Sequence, residues 1–302
     1  MYELAILARG GVLLTVWALA AGWPPGRLAA RLRRDGWQRI CRGAWAVPGK
    51  ETDWRVRETA LQLLRPRYVC HHGTAARLHR IEVLTGAGPV RGSGSSAGAG
   101  SRASLPPGDV CLRRGLRVTT AARTAADLIR ASGSREEAVV TADSALSRRV
   151  VEGVRRDPPV RYEELAAQLS VRRPGAPRAR AWLRLADPAA GSPAETVARL
   201  RMADASLFPE SQPPLRTPAG LALHPDFLFR AAGLAVEVEG YAYHGTPRAH
   251  ERDIARFNAL QSCPEVHRVL RFTAREVLTR PDRMTATVRT ALEELGAATR
   301  AT

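Results

Sequence analysis

The chain has 302 residues and a formal net charge of +17, with 46 Lys plus Arg against 29 Asp plus Glu. At roughly 100–200 residues per domain, that length gives two or three domains with room for sizeable cores. A hydrophobic content of 45% excludes wholesale disorder.

Lys50 is the single lysine, so arginine supplies almost all of the positive charge. Its planar fork matches phosphate oxygens in pairs, which makes nucleic acid the first partner to consider, although a GC-rich genome would also enrich arginine. The charge is unevenly placed: residues 1–50 carry +6, residues 51–189 carry +10 and residues 190–302 only +1. Cys41, Cys70, Cys111 and Cys263 are far apart and show no C-x-x-C pairing, which argues against a disulfide scaffold or a cysteine-built zinc site. The longest apolar run, Gly10 to Trp23, is shorter than the about 20 residues that span a bilayer. Glu3 and Arg9 spoil it as a signal peptide, so no membrane association and a cytoplasmic location are expected.

Three sections follow in chain order: 1–49, 50–187 and 190–302. In the first, Thr15 is a plausible N-cap for a short helix ending at Gly22, and a second helix runs from Pro24 to about Asp35. Two β-type runs, Trp37–Ile40 and Trp45–Val47, are joined by a tight turn over Cys41–Ala44. Two helices and a hairpin are the plan of a winged helix-turn-helix. On the second helix Leu28 and Leu32 can pack inward, while Arg27, Arg31 and Arg34 share the outer face. With Arg39 and Arg42 on the wing, these five form the expected DNA-contacting set, unless they are only a solvated arginine face. The run "GGVLLTVWALAAGWPPGRLAARLRRDGWQRICRGAWAVPG" resembles the winged-helix head of AbiEi-type antitoxins, with Trp45 in place of the usual tyrosine. That resemblance implies an autoregulating transcriptional repressor with a toxin partner protein.

The middle section contains a Gly/Ser/Ala-rich stretch, 86–108, expected to be a flexible linker. Within it Gly92, Gly94 and Ala97 match a dinucleotide-turn pattern, but no strand precedes them and no helix follows. Helices are expected over Thr120–Arg130, from a capping box at Ser134 and Glu137 through Leu146, and over Tyr162–Leu169. His71, His72 and His79 lack the spacing of a zinc site. The runs "VCHHGTAARLH" and "GLRVTTAARTAADLIR" resemble the segment that follows the winged helix in many actinobacterial proteins, which implies an antitoxin-like α/β body.

The last section is the most informative. In "HPDFLFRAAGLAVEVEGYAYHG", an aromatic β run, Phe227–Phe229, turns over Arg230–Gly233 into a second run, Leu234–Glu239. A four-residue loop sets Phe229 opposite Leu234 and Asp226 opposite Glu237. Alternation puts Val236 and Val238 on one face and Glu237 and Glu239 on the other. Opposed carboxylates about 5 Å apart either repel or grip a cation, and hard oxygen ligands without cysteine suggest Mg2+ or Mn2+.

Ser192, Pro193 and Glu195 open a helix carrying Val197, Leu200 and Leu207. Glu195 is therefore either a capping residue or a third carboxylate of the site. A helix from Pro247 to Gln261, capped by Thr246, follows His244. Its Arg252 and Arg256 can hold a phosphate, or pair with Glu251 or Asp253 at the surface. A strand, Val266–Phe272, leads into a capping box at Thr273 and Glu276.

Helix, hairpin, helix, strand and helix is the order of a restriction-endonuclease-like α/β/α core. The run "PDF…AVEVEGYAYHG…ERDIARFNAL…HRVLRFTAREV" resembles the uncharacterised PD-(D/E)XK nuclease-like domain related to very-short-patch-repair endonucleases, over roughly 190–285. The resemblance makes Asp226 the first-motif aspartate, Glu237 the second-motif acid, Glu195 the helix carboxylate and His244 the histidine after the glycine. The superfamily lysine slot falls on Glu239, where relatives usually carry aspartate. The zinc site of the repair enzymes is missing.

The fold class expected is therefore mixed α/β. Asp226 and Glu237 would hold Mg2+ or Mn2+, Glu195 or Glu239 would be a third or outer ligand, and His244 would be general base or acid. Arg252, Arg256 and Arg271 would meet the phosphate. The rivals are a repressor with an inactive nuclease fold and a nucleic-acid-packaging protein.

Overall fold

The computed structural model describes residues 3–84, 105–239 and 247–301. The protein is mixed α/β, and its contacts divide it into two compact units: Met1–Leu78 with Ser93–Thr120, and His79–Gly92 with Ala121–Thr302. The middle section of the sequence is shared between them.

The first unit opens with β1 (Val12–Leu14), α1 (Thr15–Ala20), α2 (Pro25–Arg34), β2 (Gln38–Cys41) and β3 (Ala44–Ala46). The strands form an antiparallel sheet in the order β1-β3-β2. β1 runs directly into α1, so Leu14 rather than Thr15 is the cap residue, and the Thr15 N–H donates to the Gly43 carbonyl at 2.9 Å. Pro25 at the first helical position fits α2, where a missing N–H costs nothing. Leu28 and Leu32 are buried with Leu13, Ala18, Trp37 and Trp45, each large apolar side chain contributing about 1.5–3 kcal/mol. α3 (Trp54–Leu64), capped by Asp53, packs on the other sheet face through Val56 and Ala60. α4 (His72–His79) and the hairpin of β4 (Val110–Arg113) and β5 (Leu116–Thr119) complete the unit.

Most of the 86–108 stretch, including Gly92, Gly94 and Ala97, lies outside the described residues. Its end does not fit the linker reading, because Pro107–Asp109 form a 3-10 turn that leads into β4.

The second unit begins with α5 (Ala121–Ala131), α6 (Arg135–Leu146), β6 (Arg149–Val151), β7 (Val154–Arg156), α7 (Tyr162–Ser170) and α8 (Ala176–Leu183). The Ser134 hydroxyl caps α6 as its sequence position predicts, but the Glu137 carboxylate accepts from the Gly133 N–H at 2.9 Å instead of closing the box on Ser134. Then follow α9 (Pro193–Asp204), β8 (Glu210–Ser211), β9 (Leu215–Arg216), β10 (Ala222–Leu223), β11 (Phe227–Phe229), β12 (Leu234–Glu239), α10 (Pro247–Gln261), β13 (Arg268–Thr273), α11 (Ala274–Thr279) and α12 (Pro281–Ala301).

The central sheet has the order β13-β12-β11-β8, with β12 and β13 parallel and the other pairs antiparallel. Val236 and Val238 face one layer with Val197 and Met202 of α9 and Met284 and Val288 of α12. Ala235 and Leu228 face the other, with Leu260 of α10. The result is an α/β/α sandwich with a separate core on each side of the sheet. Leu207, expected on the α9 stripe, lies past the helix end but still packs against its core. The box at Thr273 is closed in both directions, its hydroxyl capping the Glu276 N–H while Glu276 reaches back to the Thr273 N–H. Among the described residues no helix is long and apolar enough to cross a membrane.

Candidate active site

Asp226 and Glu237 meet at one end of the two inner strands, β11 and β12, because of the turn that joins them. Arg230–Ala232 form one 3-10 turn, closed by Gly233 at φ 63°. A side chain at Gly233 would strike the His267 ring at 2.6 Å, so both conformation and space select glycine. The turn sets Phe229 opposite Leu234 and Phe227 opposite Val236, the register its length predicts. Asp226 is the residue before β11, and its Oδ2 accepts from the Val238 N–H at 2.7 Å. Glu237 and Glu239 lie on the α10 side of β12, half-buried.

Glu195 arrives from the opposite layer, and its place in the helix cap leaves its carboxylate free to turn inward. Its N–H is capped by the Ser192 hydroxyl at 3.1 Å, while its carboxylate is buried and turned to the site. Oε2 accepts from the Gly191 N–H at 2.7 Å. A side chain at Gly191 would come within 3.0 Å of the same carboxylate, which would have to give by a few tenths of an ångström. Arg149, buried, donates to the Ala190 carbonyl at 2.7 Å and braces that loop.

Gln212 joins the two halves, and no sequence signal singled it out. Its Nε2 donates to Glu195 Oε2 and to Asp226 Oδ1, each at 3.0 Å. It follows a two-residue strand and carries no motif; its positive φ of 47° is visible only in three dimensions. Asp143 on α6 also went unnoticed. It is fully buried and accepts from Thr196 Oγ1 at 2.8 Å, the Asp187 N–H at 2.7 Å and Arg199 at 3.0 Å, tying α6 to α9 beside Glu195.

The electrostatics follow from this crowding. Burial pushes the Asp226 carboxyl up to about 8, and the Glu195 and Glu237 charges push the same way, against the Val238 N–H and Arg256. Burial also raises Glu195, opposed by the N–H of Gly191, by Ser192, by Gln212 and by Arg149. Burial lifts Asp143 to about 6, with Arg199 pulling it back.

Of the predicted phosphate contacts, Arg256 turns inward to Glu237 Oε2 at 3.1 Å and to the His224 carbonyl at 2.8 Å, not to Glu251 or Asp253. Arg271, opposite Glu237 on β13, pairs with Glu239 at 2.5 Å and lies over the Phe257 ring. His244, Thr246 and the Arg252 side chain lie outside the described residues. In the first unit Arg27, Arg31, Arg34, Arg39 and Arg42 are exposed. Arg31 is held by Asp35 at 2.5 Å and lies near the Trp23 ring. The histidines do not gather as a metal site: His71 and His72 touch each other through their Nδ1 atoms at 2.7 Å, and His79 is buried.

Among the described residues no three His, Cys, Asp or Glu side chains already stand as a metal-ligand group. The donor chemistry nonetheless fits a hard divalent cation. Every donor is oxygen, and Asp226 is buried under the charge of two further carboxylates, a load that such an ion relieves. No protein-family model matches the chain, and no curated protein matches it.

Proposed function

We propose that this protein is a DNA-binding, metal-dependent endonuclease that hydrolyses phosphodiester bonds. The observation that carries the reading is the convergence of Glu195, Asp226 and Glu237 from three places in the chain onto one end of the two inner strands, beside the arginine of α10. Isolated surface acids need no such convergence, and burying them together is costly without a cation or a proton.

Asp226 and Glu237 would hold Mg2+ or Mn2+, with Glu195 or Glu239 as a third or outer ligand. When bound, the ion polarises a phosphate and makes a bound water acidic. The chain's own groups do the rest. Arg256 is within reach of the same carboxylate and can transfer its fork to a phosphate oxygen, where it stabilises developing charge. Arg271 holds Glu239 aside, and Arg252 adds charge on α10. His244 moves a proton, either from the attacking water or to the leaving oxygen. Arg27, Arg31, Arg34, Arg39 and Arg42 hold the duplex, on a helix-and-hairpin arrangement suited to a winged-helix reader.

The order of elements and the acids resemble the nuclease-like relatives of very-short-patch-repair enzymes, and the resemblance of the first section to antitoxins of abortive-infection systems is what supports a role in phage defence. A second reading has its own observation. Glu237 and Glu239 are both paired with arginine, and the lysine of the superfamily is absent. An inactive nuclease fold attached to an AbiEi-like repressor, with a toxin partner, would look the same there.

A nicking assay on supercoiled plasmid with Mg2+ or Mn2+ separates the two. Wild type is expected to nick, and Asp226→Ala and Glu237→Gln, matched for folding by circular dichroism, are expected to lose nicking. Absence of nicking by wild type on double- or single-stranded DNA and on RNA would leave the repressor reading, with operator selection from random DNA as its own test.

A further inference from the structure

We infer that Gln212 is a positioning residue of this site, whose carboxamide holds the Glu195 and Asp226 carboxylates converged on one point. The inference rests on the metal-dependent reading above and names a part of that site which the sequence does not announce.

The geometry is specific. A primary amide has two N–H donors, and Gln212 spends both on this pair, at 3.0 Å to Glu195 Oε2 and 3.0 Å to Asp226 Oδ1. Two oxygens so close to one nitrogen lie within about 6 Å of each other. The two carboxylates come from unrelated elements, the first turn of α9 and the residue before β11; each is also held by a backbone N–H on its own side, Gly191 for Glu195 and Val238 for Asp226, and Gln212 is the side chain that bonds both. The Gln212 backbone is itself anchored to the Asp226 loop. Its N–H donates to the Asp226 carbonyl at 3.0 Å, and its carbonyl lies 3.2 Å from His224 Nδ1. Holding it there requires φ of +47°, a conformation that a non-glycine side chain adopts only when its surroundings demand it.

The choice of side chain is the chemical point. At buried Asp143 the partner is Arg199, and partly buried Asp127 is flanked by Arg123 and Arg130, whereas buried Glu58 is held by the neutral Tyr68, Cys70 and Thr74. Between Glu195 and Asp226 the link is a neutral amide. An arginine there would bring the carboxylates together and cancel their charge. The amide brings them together without adding a positive charge of its own, which leaves the pair open to a divalent cation.

The test measures Mn2+ binding by the full chain, by calorimetry, for wild type, Gln212→Ala and Gln212→Asn. Asparagine tolerates the left-handed conformation but is one methylene shorter and cannot span both acids. Gln212→Asn is expected to keep the wild-type melting temperature and lose at least tenfold in Mn2+ affinity, as Gln212→Ala does. Mn2+ affinity within twofold of wild type in Gln212→Asn would overturn the inference.

A metal-free readout keeps this separate from the function itself. The Gln212 side-chain amide resonances are expected to exchange slowly with water, with one hydrogen deprotected in Glu195→Ala and the other in Asp226→Ala. Fast exchange in wild type overturns the positioning role whatever the metal does. Slow exchange in a wild type that neither binds Mn2+ nor nicks supports the bridge and removes the nuclease reading.

Discussion

Asp226 shows how a single residue can set the pH response of the whole site. Its carboxyl is raised to about 8 by burial and by Glu195 and Glu237, so between the ordinary carboxylate range and about pH 8 the folded protein binds more protons than the unfolded chain. Stability therefore falls as pH rises through that window, by at most about 1.4 kcal/mol per pH unit. Thermal melts in chelator at pH 5 and pH 8 should show a lower midpoint at pH 8, and Asp226→Asn should flatten the difference by raising the pH 8 value. An unchanged pH dependence in Asp226→Asn would place the titration elsewhere. Asp226 and Glu237 were legible in the sequence because a four-residue turn and a period of two fix their register. Gln212 and Asp143 were not. Their partners lie 14 to 17 and 44 to 56 positions away along the chain, and no local period encodes them.

At the scale of elements, sequence signals located long or capped segments well. α10 has the bounds expected of it, and the caps at Ser134, Ser192 and Thr273 form. Of the strands of two or three residues, β11 and most of β3 were read, but β1 and β6 to β10 escaped. β1 lies inside an apolar run that continues into α1 with no turn residue to divide them, so it read as part of one helix approach. α2 carries its own test. Each phosphate contact contributes about 0.9 to the slope of log affinity against log salt. Arg27→Gln should therefore reduce that slope by about 0.9 on a labelled duplex, read by fluorescence anisotropy between 50 and 200 mM salt. Arg31→Gln should reduce it by less than half as much, because Arg31 must first leave Asp35, its 2.5 Å partner. Equal reductions would mean that the Arg31–Asp35 pair does not persist in solution. No reduction in either would remove α2 from the interface.

For the whole molecule, the charge is divided as the proposed activity requires. The first unit carries +11 of the net +17 and the second +6, although the second contains roughly twice as many residues. Long-range attraction for a polyanion thus concentrates in the unit with the exposed arginines, while the second unit spends acids on a site that would itself repel phosphate until a cation is bound. Binding and chemistry should then separate by mutation. Replacing Arg27, Arg39 and Arg42 together with Gln should raise KM for plasmid nicking on the order of tenfold or more at 150 mM salt and leave kcat nearly unchanged, since those contacts are made equally in ground and transition states. Glu237→Gln should do the reverse, lowering kcat by on the order of a hundredfold or more while duplex affinity stays near wild type or rises slightly, because an acid has been removed. Steady-state nicking kinetics alongside anisotropy titrations measure both. If the arginine triple variant lost kcat as well, the first unit would have to act in the chemical step, and a division of labour by charge would be the wrong description of this protein.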